Sequence, residues 1–206
     1  MRFLLIPISY LVGSIPFGWL VAKLTKGVDI RRTGSGATGA TNTYRAAGLR
    51  LALLAGVLDV LKATVPTLIA VKKWPKEQRL HMLVAYGAIA GHTRSIFLGF
   101  RGGKAVSTTV GTAIALAINE RKMWSIIQLA AGGAIGAFTG SRGIVSVASL
   151  TGAGLAANYS GLLVLKGKLS RIYGLGVIAA VCYVWLMHRE NVQRLLRHEE
   201  KSIISR

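Results

Sequence analysis

Acidic residues are scarce in this chain: seven Asp and Glu stand against 26 Lys and Arg in 206 residues, a formal charge of +19. Such an excess in a soluble protein would suit a nucleic-acid partner. Charge of either sign is itself in short supply, because only 16% of residues are charged and 52% are hydrophobic, so a nucleic-acid role is excluded. The same apolar content excludes disorder. Cysteine is scarcer still. A single Cys182 excludes a disulfide scaffold, and its place in the apolar run 177–187 makes it a small hydrophobe. Period-two alternation is missing from runs such as 113–118 and 178–184, which excludes a membrane β-barrel. The histidines at 81, 92, 188 and 198 form no His-x-x-x-His pair, so no metal site is expected, and no Gly-x-Ser-x-Gly elbow occurs.

What remains is a succession of apolar stretches separated by short basic punctuation, at 3–24, 49–71, 80–93, 105–118, 123–141, 143–165 and 172–187. A hydrocarbon core needs about 20 residues per helix. The pattern predicts an all-α polytopic integral membrane protein of about seven transmembrane helices, forming a single domain over 1–206 with a basic tail at 188–206. The third and fourth stretches are short and flank a polar, Gly-rich segment, as broken or re-entrant helices do where backbone lines a cavity. Arg2 ahead of the first stretch resembles a signal peptide, but the stretch runs too long and lacks a small-x-small cleavage site. Gly132, Gly136 and Gly140 recur every four residues and form a smooth packing face. Basic residues weakly favour the side that holds the C-terminus, which is therefore expected to be cytoplasmic.

Polar groups stand out against this background. Asp59 and Lys62 are three apart on one helical face inside an apolar stretch. They either fix helix orientation as a buried pair or serve neighbouring loops or proton handling. The segment Gly34-Ser35-Gly36-Ala37-Thr38-Gly39-Ala40-Thr41-Asn42-Thr43-Tyr44-Arg45 formally contains G-x-G-x-x-G, yet no apolar strand precedes it, so the dinucleotide reading fails. Its glycines, Ser35, Thr38, Thr41 and Asn42 nevertheless offer donors to an anion, and Arg45 a bidentate cation. A second segment runs from Gly91-His92-Thr93-Arg94-Ser95 to Phe100-Arg101-Gly102-Gly103-Lys104-Ala105-Val106-Ser107-Thr108. Leu98 and Ala105 break the Walker A pattern, but Gly102, Gly103 and Lys104 precede a helix whose N-terminal amides favour an oxyanion. Ser146 and Ser149 form a third region after Arg142, and His188 with Asn191 a fourth. On the expected topology all four reach the cytoplasmic side, around a cavity for a phosphate-bearing anion. Catalysis there would be electrostatic and positional.

Taken in order, these segments resemble the PlsY family of bacterial acyl-phosphate:glycerol-3-phosphate acyltransferases. The family's G-S-G-N-x-G-A-T-N-x-x-R corresponds to Gly34–Arg45, and its G-H-x-x-S…F-K-G-G-K-G-V-A-T to Gly91–Thr108. The serine motif is matched by Ile144–Ser149, and H-R-x-N-I-x-R-L by His188–Leu195. G-S-I-P-F-G at Gly13–Gly18 and D-x-x-K at Asp59 and Lys62 also match. Ala37, Arg101, Ala105 and Ala63 depart from the family's Asn, Lys, Gly and Gly. The resemblance implies transfer of a fatty acyl group from acyl phosphate to the 1-hydroxyl of sn-glycerol 3-phosphate in the bacterial inner membrane, without a cofactor. Membrane lipids and the soluble enzyme that makes acyl phosphate are the implied partners. Ser35, Gly36, Asn42, Arg45, Gly102, Gly103 and Lys104 are expected to bind phosphate. Ser35, Arg45, Lys104, Ser146, His188 and Asn191 form the expected catalytic set, with Thr41, His92 and Arg142 orienting substrate. Either His188 or the substrate's own phosphate accepts the hydroxyl proton. An organophosphate transporter or a non-catalytic membrane organiser would also place cations in a bundle, but no internal repeat supports the first and the donor-rich loops do not suit the second.

Overall fold

A computed structural model of the chain describes residues 1–120, 143–200, 202 and 203. Among those residues the elements are helices, and strand pairing is limited to one isolated bridge between Ser95 and Arg101. The expected span at 123–141, with Gly132, Gly136 and Gly140, and the candidate Arg142 lie outside the described residues. The chain divides into two compact units, Met1–Arg121 and Lys122–Arg206.

In the first unit the helices are α1 (Leu5–Ser14), α2 (Phe17–Lys26), α3 (Ala40–Ala47), α4 (Leu49–Lys73), α5 (Gln78–Thr93) and α6 (Val106–Glu120). The first apolar stretch, expected as one helix over 3–24, is therefore two. Pro16 explains the break: it donates no amide hydrogen and pushes Ile15 out of the helical region, to ψ 116°. Arg2–Lys26 and Leu49–Lys73 are long and apolar enough to cross a membrane, whereas α5 and α6 have 16 and 15 residues, short as the sequence predicts.

Membrane logic is visible on α4. Leu53, Val57, Leu61, Val65 and Ile69 are exposed at four-residue intervals, while Ala52, Ala55, Asp59, Lys62 and Ala63 are buried. Large apolar side chains face outward where lipid lies, and small and ionised ones face protein. Small residues also set the helix contacts. A Cβ on Gly91 of α5 would fall 2.2 Å from the Tyr10 carbonyl oxygen of α1, and one on Gly111 of α6 would fall 2.2 Å from the Val60 carbonyl oxygen of α4. Backbones therefore meet directly at both crossings.

The second unit contains α7 (Val145–Leu165), α8 (Arg171–Met187) and α9 (Arg189–Leu196). The Ser170 hydroxyl caps α8 by accepting from the Tyr173 amide at 3.3 Å. α7 is also long and apolar enough to span, and α8 and α9 are bent by 58° at His188. The tail returns to the start of α7, where the Ile203 amide donates to the Gly143 carbonyl at 2.7 Å.

Candidate active site

The loop between α2 and α3 is built around Asn42, buried in the first turn of α3. Its amide nitrogen faces the carbonyl oxygens of Ile30, Thr33 and Ala37 at 2.7, 3.1 and 2.9 Å, and its Oδ1 accepts from the Ser35 amide at 3.2 Å. One side chain thus holds the whole loop. Gly34 sits at φ +54°, and a Cβ there would lie 2.4 Å from Asn42 Oδ1, so only glycine fits that turn. Ser35 is left exposed at the tip beside half-buried Gly36, with Thr41 half-buried and Arg45 exposed one helical turn after Asn42. Asn42 therefore serves the loop's shape with all its polar atoms.

Asp29 anchors the approach to this loop. It accepts from Arg31 Nε at 2.9 Å and Nη2 at 2.6 Å and from Trp19 Nε1 at 3.0 Å. Hydrogen bonding to Arg31 holds its carboxyl well below the usual carboxylate range.

The second loop, between α5 and α6, lies against the first: the Thr38 amide meets the Gly102 carbonyl at 3.5 Å. α1 holds it in place, with Ser95 Oγ donating to the Ser14 carbonyl at 2.5 Å and Tyr10 Oη to the Arg94 carbonyl at 2.7 Å. Gly103 is buried and its amide donates to the His92 carbonyl at 3.0 Å. His92 is buried with Nδ1 3.6 Å from Asp59 Oδ1. Half-buried Lys104 follows, one residue ahead of Ala105, whose carbonyl accepts from the Thr109 amide at 2.8 Å and opens α6. Lys104 and the positive end of a 15-residue helix thus share one place. Ala105 is buried at φ +67°, the left-handed region that the family's glycine there tolerates freely.

In the second unit, Ser146 and Asn191 meet on one carboxylate. Ser146 Oγ donates to Glu200 Oε1 at 2.9 Å, Asn191 Nδ2 donates to the same oxygen at 2.7 Å, and Arg194 Nε reaches Oε2 at 2.6 Å. Ser149 instead donates to the Val145 carbonyl of its own helix at 3.0 Å. Burial raises the Glu200 pKa, but the hydrogen bonds from Arg194, Asn191 and Ser146 outweigh it and leave the carboxyl below the ordinary glutamate range. Glu200 escaped the sequence reading; the available signal was that the tail holds three of the chain's seven acidic residues, with Glu199 and Glu200 adjacent among its basic residues. His188 is buried with Nδ1 2.8 Å from the Val184 carbonyl. A carbonyl accepts only, so Nδ1 carries the proton and Nε2 is the acceptor of the neutral ring.

An all-helical fold with membrane-length apolar helices defines an integral membrane protein, here with two Gly-rich loops at helix ends beside the cationic side chains of Arg45 and Lys104. The family model for glycerol-3-phosphate acyltransferase matches residues 3–198. A glycerol-3-phosphate acyltransferase of Anaeromyxobacter sp. (strain Fw109-5) is 39% identical over 202 residues, covering 96% of this chain and 94% of the relative. Another from Anaeromyxobacter sp. (strain K) is 40% identical, covering 97% and 96%. The crystal structure of PlsY (YgiH), an integral membrane glycerol 3-phosphate acyltransferase, in its glycerol 3-phosphate form superposes with a TM-score of 0.85 at 32% identity, covering 98% of this chain and 95% of that one. Its lysophosphatidic acid form gives 0.82 at 33% identity, covering 98% and 94%. The chain belongs to the glycerol-3-phosphate acyltransferase family of PlsY type.

Proposed function

We propose that this protein transfers a fatty acyl group from acyl phosphate to the 1-hydroxyl of sn-glycerol 3-phosphate, giving lysophosphatidic acid and inorganic phosphate, as the first acylation of bacterial phospholipid synthesis. The observation that carries this reading is the pairing of the two donor-rich segments through Thr38 and Gly102, which sets the loop leading into α3, the helix that carries Arg45, against the loop that ends at Lys104. Both substrates carry phosphate, and two adjoining cationic segments suit them. Ser35, Arg45 and Lys104 bind phosphate, assisted by the Gly36, Gly102 and Gly103 amides and by the loop that Asn42 shapes. Ser146, His188 and Asn191 orient glycerol 3-phosphate, with Thr41 contributing its hydroxyl. Arg142 keeps the substrate-orienting role that its motif implies.

The step balances without a cofactor. The substrate hydroxyl oxygen bonds to the acyl carbon, the bond from that carbon to the phosphate oxygen breaks, and phosphate departs with the electron pair. The hydroxyl proton passes to His188 Nε2 or to a substrate phosphate. Acyl phosphate is a mixed anhydride with a good leaving group, so cationic stabilisation of the departing charge carries the catalysis. The protein is a multi-pass protein of the bacterial inner membrane with a cytoplasmic C-terminus, supplied by the soluble enzyme that makes acyl phosphate.

Purified protein in lipid, incubated with acyl phosphate and glycerol 3-phosphate, is expected to release lysophosphatidic acid and phosphate in equal amounts. With acyl-CoA as sole donor no product is expected. Product from acyl-CoA, or none from acyl phosphate, refutes the reading.

A further inference from the structure

We propose that Asp59 and His92 are positioning residues for the Gly102–Lys104 loop: Asp59 orients the His92 ring, and the ring sets how the loop presents its amides and Lys104 to an anionic substrate. This rests on the acyltransferase reading above. His92 touches the loop through both its ring and its backbone. A Cβ on Gly103 would fall 2.1 Å from His92 Nε2, and one on Gly102 would fall 2.0 Å from the His92 carbonyl oxygen. The same carbonyl accepts the Gly103 amide at 3.0 Å. The two glycines therefore lie directly on His92, and any rotation of the ring must move Gly103 or be blocked by it.

The opposite edge of the ring faces Asp59, with Nδ1 3.6 Å from Oδ1. Lys62 Nζ lies 2.7 Å from that same oxygen, but it is also turned to the Ile15 carbonyl at 2.7 Å and stands 5.7 Å from the Phe17 ring centroid, where α1 and α2 part at Pro16. The carboxylate is 1% exposed, and its Oδ2 has no hydrogen-bond partner among the described residues. Holding a charge this way inside an apolar span costs free energy. Helix packing alone does not call for it, since replacing a buried ion pair with apolar residues of similar volume is often neutral or stabilising. The Asp59 carboxylate and the Lys62 ammonium thus connect two features that the phosphate-binding reading leaves unused, the G-S-I-P-F-G break and the D-x-x-K pair, to the back of the second loop.

The experiment measures the affinity of the detergent-purified full chain for glycerol 3-phosphate and for inorganic phosphate by calorimetry, with melting temperature as the check on folding. His92→Ala, and the neutral pair Asp59→Asn with Lys62→Gln, are each expected to weaken binding by about tenfold or more in a protein that still melts cooperatively, at a lower temperature because buried groups are altered. Gly103→Ala drives a methyl group into the ring and is expected to weaken binding similarly. Adding His92→Ala to it removes the clash and is expected to bring no further loss. Wild-type affinity in folded His92→Ala, or losses that simply multiply in the double variant, overturns the proposal. If the neutral pair does not fold, His92→Ala and the Gly103 cycle decide. A wild type that binds these anions yet makes no lysophosphatidic acid refutes the acyltransferase reading and leaves the positioning role to be judged on the affinities. A wild type that binds neither anion overturns both.

Discussion

Asn191 and Glu200 are joined by a 2.7 Å hydrogen bond, from the amide of a residue in the last described helix to a carboxylate in the tail beyond it. Ser146, from the first turn of α7, donates to the same oxygen. One carboxylate therefore sets two side chains that are expected to orient substrate, and it ties the tail to both.

Glu200→Gln keeps the size of the side chain and removes its charge. It is expected to cost about 1–3 kcal/mol, because Arg194 loses its ionic partner and Asn191 meets an amide. Thermal unfolding in detergent checks this, and an unchanged melting temperature would show that the clip contributes nothing.

The pH dependence has a definite sign. The Glu200 pKa is lower folded than unfolded, so its contribution is present above the ordinary glutamate range and is lost as pH falls through the depressed folded value. Melting temperature measured from pH 7 downward is expected to fall more steeply for wild type than for Glu200→Gln. Parallel curves would refute the assignment.

Asn42→Ala leaves the carbonyls of Ile30, Thr33 and Ala37 and the Ser35 amide without this side chain. A loss of about 2–4 kcal/mol in stability is expected, with transferase activity reduced because Ser35 is no longer held. If Asn42→Ala retains wild-type stability but loses phosphate affinity, Asn42 acts on the ligand directly and not through the loop.

Ala105→Gly reverses the usual sign of an Ala-to-Gly change. At φ +67° alanine carries a left-handed cost of about 1 kcal/mol, which roughly offsets the added freedom of glycine in the unfolded chain. Stability is expected to stay level or rise, whereas Ala115→Gly, buried within α6, is expected to lose about 1 kcal/mol or more. Equal losses in the two variants would remove the strain argument.

Arg45→Ala and Lys104→Ala are each expected to lower transferase activity by on the order of 10²–10³-fold with melting temperatures close to wild type. Full activity in either removes that residue from the phosphate clamp. For His188→Ala, a pH–rate profile separates the two proton acceptors: turnover near wild type with an unchanged acidic limb assigns the proton to the substrate phosphate.

Much of this protein is legible in its sequence because the bilayer restricts the options so severely. Continuous apolar runs in a chain with few charges admit helices and little else, and the boundaries of α4, α5, α6 and α8 lie within about two residues of those that hydropathy predicts. Donor-rich segments at Ser35–Arg45 and Gly102–Lys104 announce themselves for the same reason, since a run of glycines and polar side chains is conspicuous beside apolar helices. Tertiary structure decided what those groups do for one another. Spacing along the chain could place Asn42 among donors to an anion, but only the folded loop shows its amide facing three carbonyls. Nothing in the order of residues joins Asp59 to His92, 33 positions later in the numbering, or Ser146 to Glu200. Hydropathy is a property of a segment and is read locally, whereas a hydrogen bond between distant segments exists only after the packing of small residues has brought their backbones together.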